Sequence, residues 1–230
     1  MSRPSSTGAS QVWLSTPDAA GRLDPSRLAT EDRAQWAALH SRRRRLDWAS
    51  SRVLLDAVPM APDRNRSLSH SHGYAALALA PPFLAIGVDV EWLVPRDFLG
   101  MAEIAFAPVE VDCLASIGDP ADRCAKFYEL WTLKEAFAKA LGLPLVDALQ
   151  QCCFADAGRT GTIVVPTPQS WCAKVFAPRP QLRVAVACVA DVTGSIRFPL
   201  ETLEWPPARP TAWPIACSLA SIGGGRGGAC

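Results

Sequence analysis

Apolar residues recur along this chain in two rhythms, alternation in some stretches and helical spacing in others. Val12 and Leu14 alternate with polar neighbours, so Gln11–Thr16 reads as a short edge strand. From Glu31 to Val58, Trp36, Leu39, Leu46, Trp48, Val53 and Leu54 return at helical intervals. Residues 24–58 are therefore expected to be helical, with Thr30, Glu31 and Asp32 as the start signal. Tyr74–Leu79 and Leu84–Glu91 read as the two strands of a hairpin turned by Pro81-Pro82; Ile86, Val88 and Val90 give the second strand a buried face. A second helical region runs over Phe98–Ser116. The strongest helix signal follows it: Asp119 as cap, Pro120 in the first turn, Gly142 with Leu143-Pro144 as the stop, and a stripe of Phe127, Leu130, Trp131, Phe137 and Leu141. Thr160–Val165, Trp171–Phe176 and Leu182–Ala190 read as three strands of one antiparallel sheet. Residues 1–10 are expected to be loose, and residues 205–230, Pro-rich then Gly-rich, to be a disordered tail.

The order helix, hairpin, helix, sheet predicts an α+β protein of two halves, residues 1–94 and 95–204, followed by the tail at 205–230. Of 230 residues, 49% are apolar and 20% charged, which suits a packed core. The net charge of +1 gives no global case for binding nucleic acid, so any basic site must be local. Pro81-Pro82 breaks the longest uncharged stretch, Ser67–Val88, and the N-terminus shows no apolar signal segment, so a cytoplasmic protein with no membrane span is expected. Eight cysteines without a CxxC pair read as reduced thiols, not as a metal centre.

Four elements carry candidate chemistry. In Gly87-Val88-Asp89-Val90-Glu91, residues two apart share a face of the strand, so Asp89 and Glu91 point together. Paired carboxylates repel unless a hard divalent cation joins them; a strand end emerging into solvent fits the same residues equally well. Gly87 shares that face and would let a ligand approach the backbone. Glu135 and Lys139, at i and i+4 beside Trp131, could supply a third ligand or base and a phosphate contact, although helix geometry alone favours a surface ion pair. His70 and His72 lie among serines in Ser67–Gly73 and lack a third nitrogen or sulfur ligand; a phosphate contact and an ordinary surface histidine are equally open. In the run Arg42–Arg45, Arg45 shares a helix face with Arg52; taken alone this reads first as a solvated patch, and second as a phosphate fork.

Together these elements resemble one family, the 4'-phosphopantetheinyl transferases of the surfactin-synthetase-activating type. The resemblance rests on Leu68-Ser69-His70-Ser71, Ile86–Glu91, Phe106-Ala107-Pro108-Val109-Glu110, and Phe127–Lys139 followed by Ala140-Leu141-Gly142. Arg45-Leu46-Asp47-Trp48 with Ser51-Arg52 is similar to the family's N-terminal half. Trp171–Lys174 and Val184–Cys188 are similar to its closing strands. Arg66 and Ser67 stand where the family often has an aromatic residue and an asparagine, and Trp92 where a basic residue is common. The resemblance implies an α+β (α/β) fold of two similar pseudo-twofold-related halves, each a small antiparallel sheet with packed helices, with coenzyme A and Mg²⁺ (or Mn²⁺) in the cleft between them. By matching position, Asp89, Glu91 and Glu135 would hold the metal. Glu135 or a metal-bound water would take the proton of the attacking serine. Lys139 would hold a phosphate oxygen, and Lys134, in another helical direction, would approach the phosphates or a carboxylate. His70, Arg45 and Arg52 would bind the nucleotide end. The implied acceptor is an apo acyl or peptidyl carrier protein, and the enzyme is expected to be a monomer. Two rival readings are a metal-dependent phosphoryl transferase using another donor, against which no P-loop appears, and a non-catalytic coenzyme A or carrier-binding module of the same fold, against which the three carboxylates and Lys139 all stand.

Overall fold

The computed structural model describes residues 9–155, 163–190, 200–205, 209–222 and 226–229. The strands are β1 (Ser10–Ser15), β2 (Asn65–Ser71), β3 (Tyr74–Ala80), β4 (Leu84–Trp92), β5 (Cys153–Phe154), β6 (Ile163–Val164), β7 (Ser170–Arg179), β8 (Leu182–Ala190), β9 (Leu200–Trp205), β10 (Arg209–Pro210), β11 (Ile215–Ile222) and β12 (Arg226–Ala229). The helices are α1 (Thr30–Ala38), α2 (Arg42–Ala57), α3 (Phe98–Ala105), α4 (Pro108–Ser116), α5 (Pro120–Leu141) and α6 (Leu145–Gln151). One sheet has the order β10-β9-β1-β3-β2 and the other β4-β8-β7-β11-β12-β6-β5. Among the described residues, all pairings are antiparallel except β1 with β9. This is the expected α+β class.

Strand alternation sorts the core into layers. On β3, Ala75, Leu77 and Leu79 pack with Leu54 of α2, while Ala76, Ala78 and Ala80 pack with Val88 and Val90 of β4 and with Val184 and Val186 of β8. On β8 the intervening Ala185, Ala187 and Val189 join Phe127, Leu130 and Phe137 of α5. Helix α5 starts and stops where the sequence signals: Asp119 Oδ1 accepts from the Ala121 and Asp122 amides at 2.8 and 2.9 Å, and Gly142 takes φ +66° at the C-cap.

Several expectations need correcting. The helical region 24–58 is one short 3-10 turn, Pro25–Arg27, followed by α1 and α2, which part at an extended Leu39 before the Ser41 cap. Region 98–116 divides into α3 and α4, because Phe106 is extended and Pro108 opens a new helix. The hairpin drawn around Pro81-Pro82 does not exist: β3 pairs with β1 and β2, and β4 pairs with β8 in the other sheet. The true hairpin is β2–β3, turned by His72 (φ +52°) and Gly73 (φ +82°), the backbone a two-residue turn requires. Of Thr160–Val165, residues 160–162 lie outside the described residues, as does most of the loose segment 1–10.

The tail is not structureless where it is described. Strand β10 extends the first sheet through β9, and β11 pairs with β7 through five residues of each. Trp213 is buried, packing edge-on against Phe176 with ring centroids 5.6 Å apart. The division at residue 94 also fails to separate the sheets, since β4 belongs to the second sheet and β9 to the first.

Helix α5 crosses β4 closely enough that only glycine fits beneath it. A Cβ on Gly87 would lie 1.9 Å from the Ala136 carbonyl oxygen and 2.7 Å from the Ala140 amide nitrogen. What approaches this glycine is therefore helix backbone, not a ligand. Gly87→Ala is expected to destabilise by about 3 kcal/mol, lowering the thermal midpoint by roughly 6–12 °C. Gly21→Ala, where a Cβ meets nothing within 4 Å, serves as the control and is expected to leave the midpoint unmoved in the same calorimetric scan.

Candidate active site

Strand β2 is the edge of the first sheet and β4 the edge of the second, and the two edges meet. The odd-numbered side chains of β2 span the gap. Asn65 Nδ2 donates to the Leu84 carbonyl at 2.8 Å, and Ser67 Oγ accepts from the Val88 amide at 3.0 Å. Ser69 Oγ donates to Asp89 Oδ1 at 2.7 Å. Ser71 Oγ donates to Glu91 Oε2 at 2.7 Å and accepts from the Trp92 amide at 3.3 Å.

Across this seam β4 presents Asp89 and Glu91 towards α5, whose Glu135 and Lys139 close the site. One carboxylate oxygen from each of Asp89, Glu91 and Glu135 lies within 4.8 Å of the others. Asp89 is 2% exposed, so the reading of a strand end in solvent falls away. Lys139 Nζ donates to Asp89 Oδ1 and to the Val88 carbonyl, both at 2.9 Å, and stands 3.9 Å from Glu135 Oε2. Asp89 Oδ2 is buried with no hydrogen-bond partner. A buried carboxylate oxygen left bare among two further carboxylates fits a hard divalent cation, which takes oxygen ligands.

Burial, and next the Asp89 charge, push the Glu91 carboxyl up to about 7 against the opposing hydrogen bond from Ser71. Burial and Asp89 likewise raise Glu135 to about 7, with Lys139 opposing. These shifts belong to the protein without a bound cation, where like charges crowd a dry site.

The basic residues expected around the site fall into two groups. His70 points away from the seam and lines a cleft of about 440 Å³ together with Arg43, Arg44, His72, Arg96 and Glu91. Arg45 and Arg52 do not line it. The Arg45 guanidinium donates to the Leu39 carbonyl and stacks on Trp36, 5.4 Å from the ring centroid. Arg52 pairs with Asp32 at 2.9 Å and covers Trp48. The helix phase that groups Arg45 with Arg52 turns both away from the cleft, and Arg43 and Arg44 face it instead. Arg96, too, was missed by the sequence reading; it lies in the link after β4, where no periodicity marks a face.

Lys134 is also elsewhere. It is fully buried, pairs with Glu110 at 2.8 Å and donates to the Leu149 and Cys152 carbonyls. Glu110 in turn accepts from the Ala107 and Phe154 amides at 3.0 and 2.8 Å. With every donor and acceptor committed, this pair ties α4, α5, α6 and β5 together and cannot reach a phosphate in the cleft.

A two-layered α+β body with an acidic cluster between sheet edge and helix defines the class, and comparison with known sequences agrees with it. The sequence model of the 4'-phosphopantetheinyl transferase superfamily matches residues 85–187, a segment that runs from β4 into β8 and contains all three carboxylates. The Synechocystis sp. protein slr0495, provisionally named a 4'-phosphopantetheinyl transferase, is 37% identical over 99 residues, covering 40% of this chain and 39% of that one. Human L-aminoadipate-semialdehyde dehydrogenase-phosphopantetheinyl transferase is 31% identical over 140 residues, 57% of this chain and 44% of that one. The 4'-phosphopantetheinyl transferase of Bacillus subtilis is 33% identical over 92 residues, 38% and 39% of the two chains. The matches thus span about two fifths of the length of these curated relatives. Among the described residues no helix is long and apolar enough to cross a membrane.

The raised carboxyls give a pH dependence of definite sign. Between the ordinary glutamate value of 4.5 and about 7, the folded protein holds protons on Glu91 and Glu135 that the unfolded chain releases, so stability falls as pH rises through this window. In the presence of a chelator the thermal midpoint is expected to drop from pH 5 to pH 7.5. Glu135→Gln should flatten the drop, and a divalent cation should restore the midpoint at the upper end, as read by calorimetry in matched buffers.

Proposed function

We propose that this protein transfers the 4'-phosphopantetheine arm of coenzyme A to a serine hydroxyl of an apo acyl or peptidyl carrier protein, releasing adenosine 3',5'-bisphosphate. The observation that carries the reading is the gathering of Asp89, Glu91, Glu135 and Lys139 at one point beside a basic cleft. Asp89, Glu91 and Glu135 would hold Mg²⁺ or Mn²⁺, which supplies neutralisation of the pyrophosphate charge when bound.

The chain's own groups have separable tasks. Arg43, Arg44, His70 and Arg96 bind the phosphate at the nucleotide end, orienting the donor so that its pyrophosphate lies beside Glu91. Glu135, which faces Asp89 and Glu91 across the site, accepts the proton of the attacking serine hydroxyl. Lys139 Nζ, anchored on Asp89 and the Val88 carbonyl, places a fixed positive charge where the leaving phosphate gains negative charge. The new bond joins the serine oxygen to the phosphopantetheine phosphorus, and the bond that breaks is the one between that phosphorus and the bridging pyrophosphate oxygen. We take the enzyme to act as a monomer in the cytoplasm.

Incubation with apo carrier protein, coenzyme A and Mg²⁺ is expected to add one phosphopantetheine to the carrier by intact mass, and chelator should abolish it. Glu135→Gln should lower turnover by about 10²–10⁴-fold while still binding coenzyme A. Coenzyme A binding by the wild type without transfer to any of several carriers would favour a non-catalytic module.

The cleft assignment has its own test. Arg44→Ala is expected to raise the KM for coenzyme A about tenfold or more, whereas Arg45→Ala should leave it unchanged. Equal effects in steady-state kinetics would return the nucleotide contact to Arg45.

A further inference from the structure

The serines of β2 do two different jobs. Ser67 Oγ touches the backbone of β4, accepting from the Val88 amide. Ser69 and Ser71 reach the side chains of Asp89 and Glu91, each by a 2.7 Å bond to one carboxylate oxygen, and Ser71 also accepts from the Trp92 amide. We infer that Ser69 and Ser71 are positioning residues: by filling one oxygen of each carboxylate, they set the orientation in which Asp89 and Glu91 present the other to a divalent cation. The inference rests on the cation site in the reading above and extends it to the strand that backs the carboxylates.

A carboxylate turns easily about its last torsion, and two of them two residues apart on a strand repel. Unrestrained, each would rotate away from the other. Asp89 shows what the restraint achieves. Its Oδ1 takes Ser69 at 2.7 Å and Lys139 at 2.9 Å, while Oδ2 is left buried and bare. On Glu91 the Oε2 oxygen is committed to Ser71. Hydrogen bonds to ligating groups orient them, and losing one typically weakens metal affinity about 10–100-fold.

The serines are themselves held in register. Ser69 pairs with Ala76 and Ser71 with Tyr74 across β2–β3, and the Gly73 amide of the connecting turn donates to buried Asp47 of α2. A slip of one residue would replace the serines on the seam by Leu68, His70 and His72. Strand β2 therefore carries carboxylate-orienting hydroxyls on one face and cleft-lining His70 on the other.

The test is Mn²⁺ binding to the intact protein, read by electron paramagnetic resonance in the absence of donor and acceptor. Ser69→Ala and Ser71→Ala are each expected to weaken Mn²⁺ about tenfold or more, and Ser69→Thr, which keeps the hydroxyl, to recover most of the loss. Ser67→Ala should lower the thermal midpoint yet leave Mn²⁺ affinity unchanged. Unaltered affinity in both alanine variants, or an equal loss in Ser67→Ala, overturns the assignment. The intact-mass assay reports on the transferase reading separately: wild type that binds Mn²⁺ serine-dependently but modifies no carrier sinks that reading and keeps this one, whereas wild type that binds no Mn²⁺ removes the cation site from both.

Discussion

The edge of a sheet leaves a row of N–H and C=O groups unpaired, and each such group buried without a partner costs about 1–3 kcal/mol. Here two edges meet, and polar side chains of β2 stand in for the missing ladder: Asn65 to the Leu84 carbonyl, Ser67 to the Val88 amide, Ser71 to the Trp92 amide. Because strand side chains repeat every second residue, the series that satisfies the β4 backbone also brings Ser69 and Ser71 against Asp89 and Glu91. The need to seal the seam and the need to orient the carboxylates are met by one strand. The seam would otherwise be a ready site for pairing with another chain.

The second constraint is the close crossing of α5 over β4 at Gly87. It fixes which residues of the helix reach the carboxylates, and the two lysines of α5 show how sharply. Lys134 and Lys139 are five residues apart, well over a quarter-turn out of phase on a helix. Lys139 reaches over the edge of β4 to Asp89. Lys134 points into the body, where burying its charge is tolerable only because Glu110 and two carbonyls surround it. The one serves the site; the other holds the support on which the site is built.

Much of this was legible in the sequence, for identifiable reasons. Helix α5 carries its own cap, stop and stripe, so its bounds and its Glu135–Lys139 face could be read locally. The alternation in Val88-Asp89-Val90-Glu91 showed that the two carboxylates share a face. What escaped depends on contacts distant in sequence. Pro81-Pro82 looks like a hairpin turn, yet the strands it joins belong to different sheets, and no local pattern reports which strand a neighbour will pair with. The C-terminal region was masked by its proline and glycine content, although Ile215–Ile222 completes the β7 edge. The arginine run does not itself say which guanidiniums face the cleft, because in a run of four the helix phase decides: Arg43 and Arg44 line it, while Arg45 lies over Trp36.

The same crowding sets the proton affinity of Glu135 in the cation-free site. A carboxylate in water is too weak a base near neutral pH, and a fully buried one would stay protonated. Glu135 lies between these limits: burial and Asp89 raise it to about 7, and Lys139 restrains the rise. Asp89 matters to this balance in two ways, as a charge that raises its neighbours and as the anchor that keeps Lys139 close. Removing Asp89 would therefore relieve the repulsion on Glu135 and release the lysine at once, two effects opposite in sign on the same proton. The basicity of Glu135 is a property of the cluster and not of the residue, and it exists only while β2, β4 and α5 hold their present register.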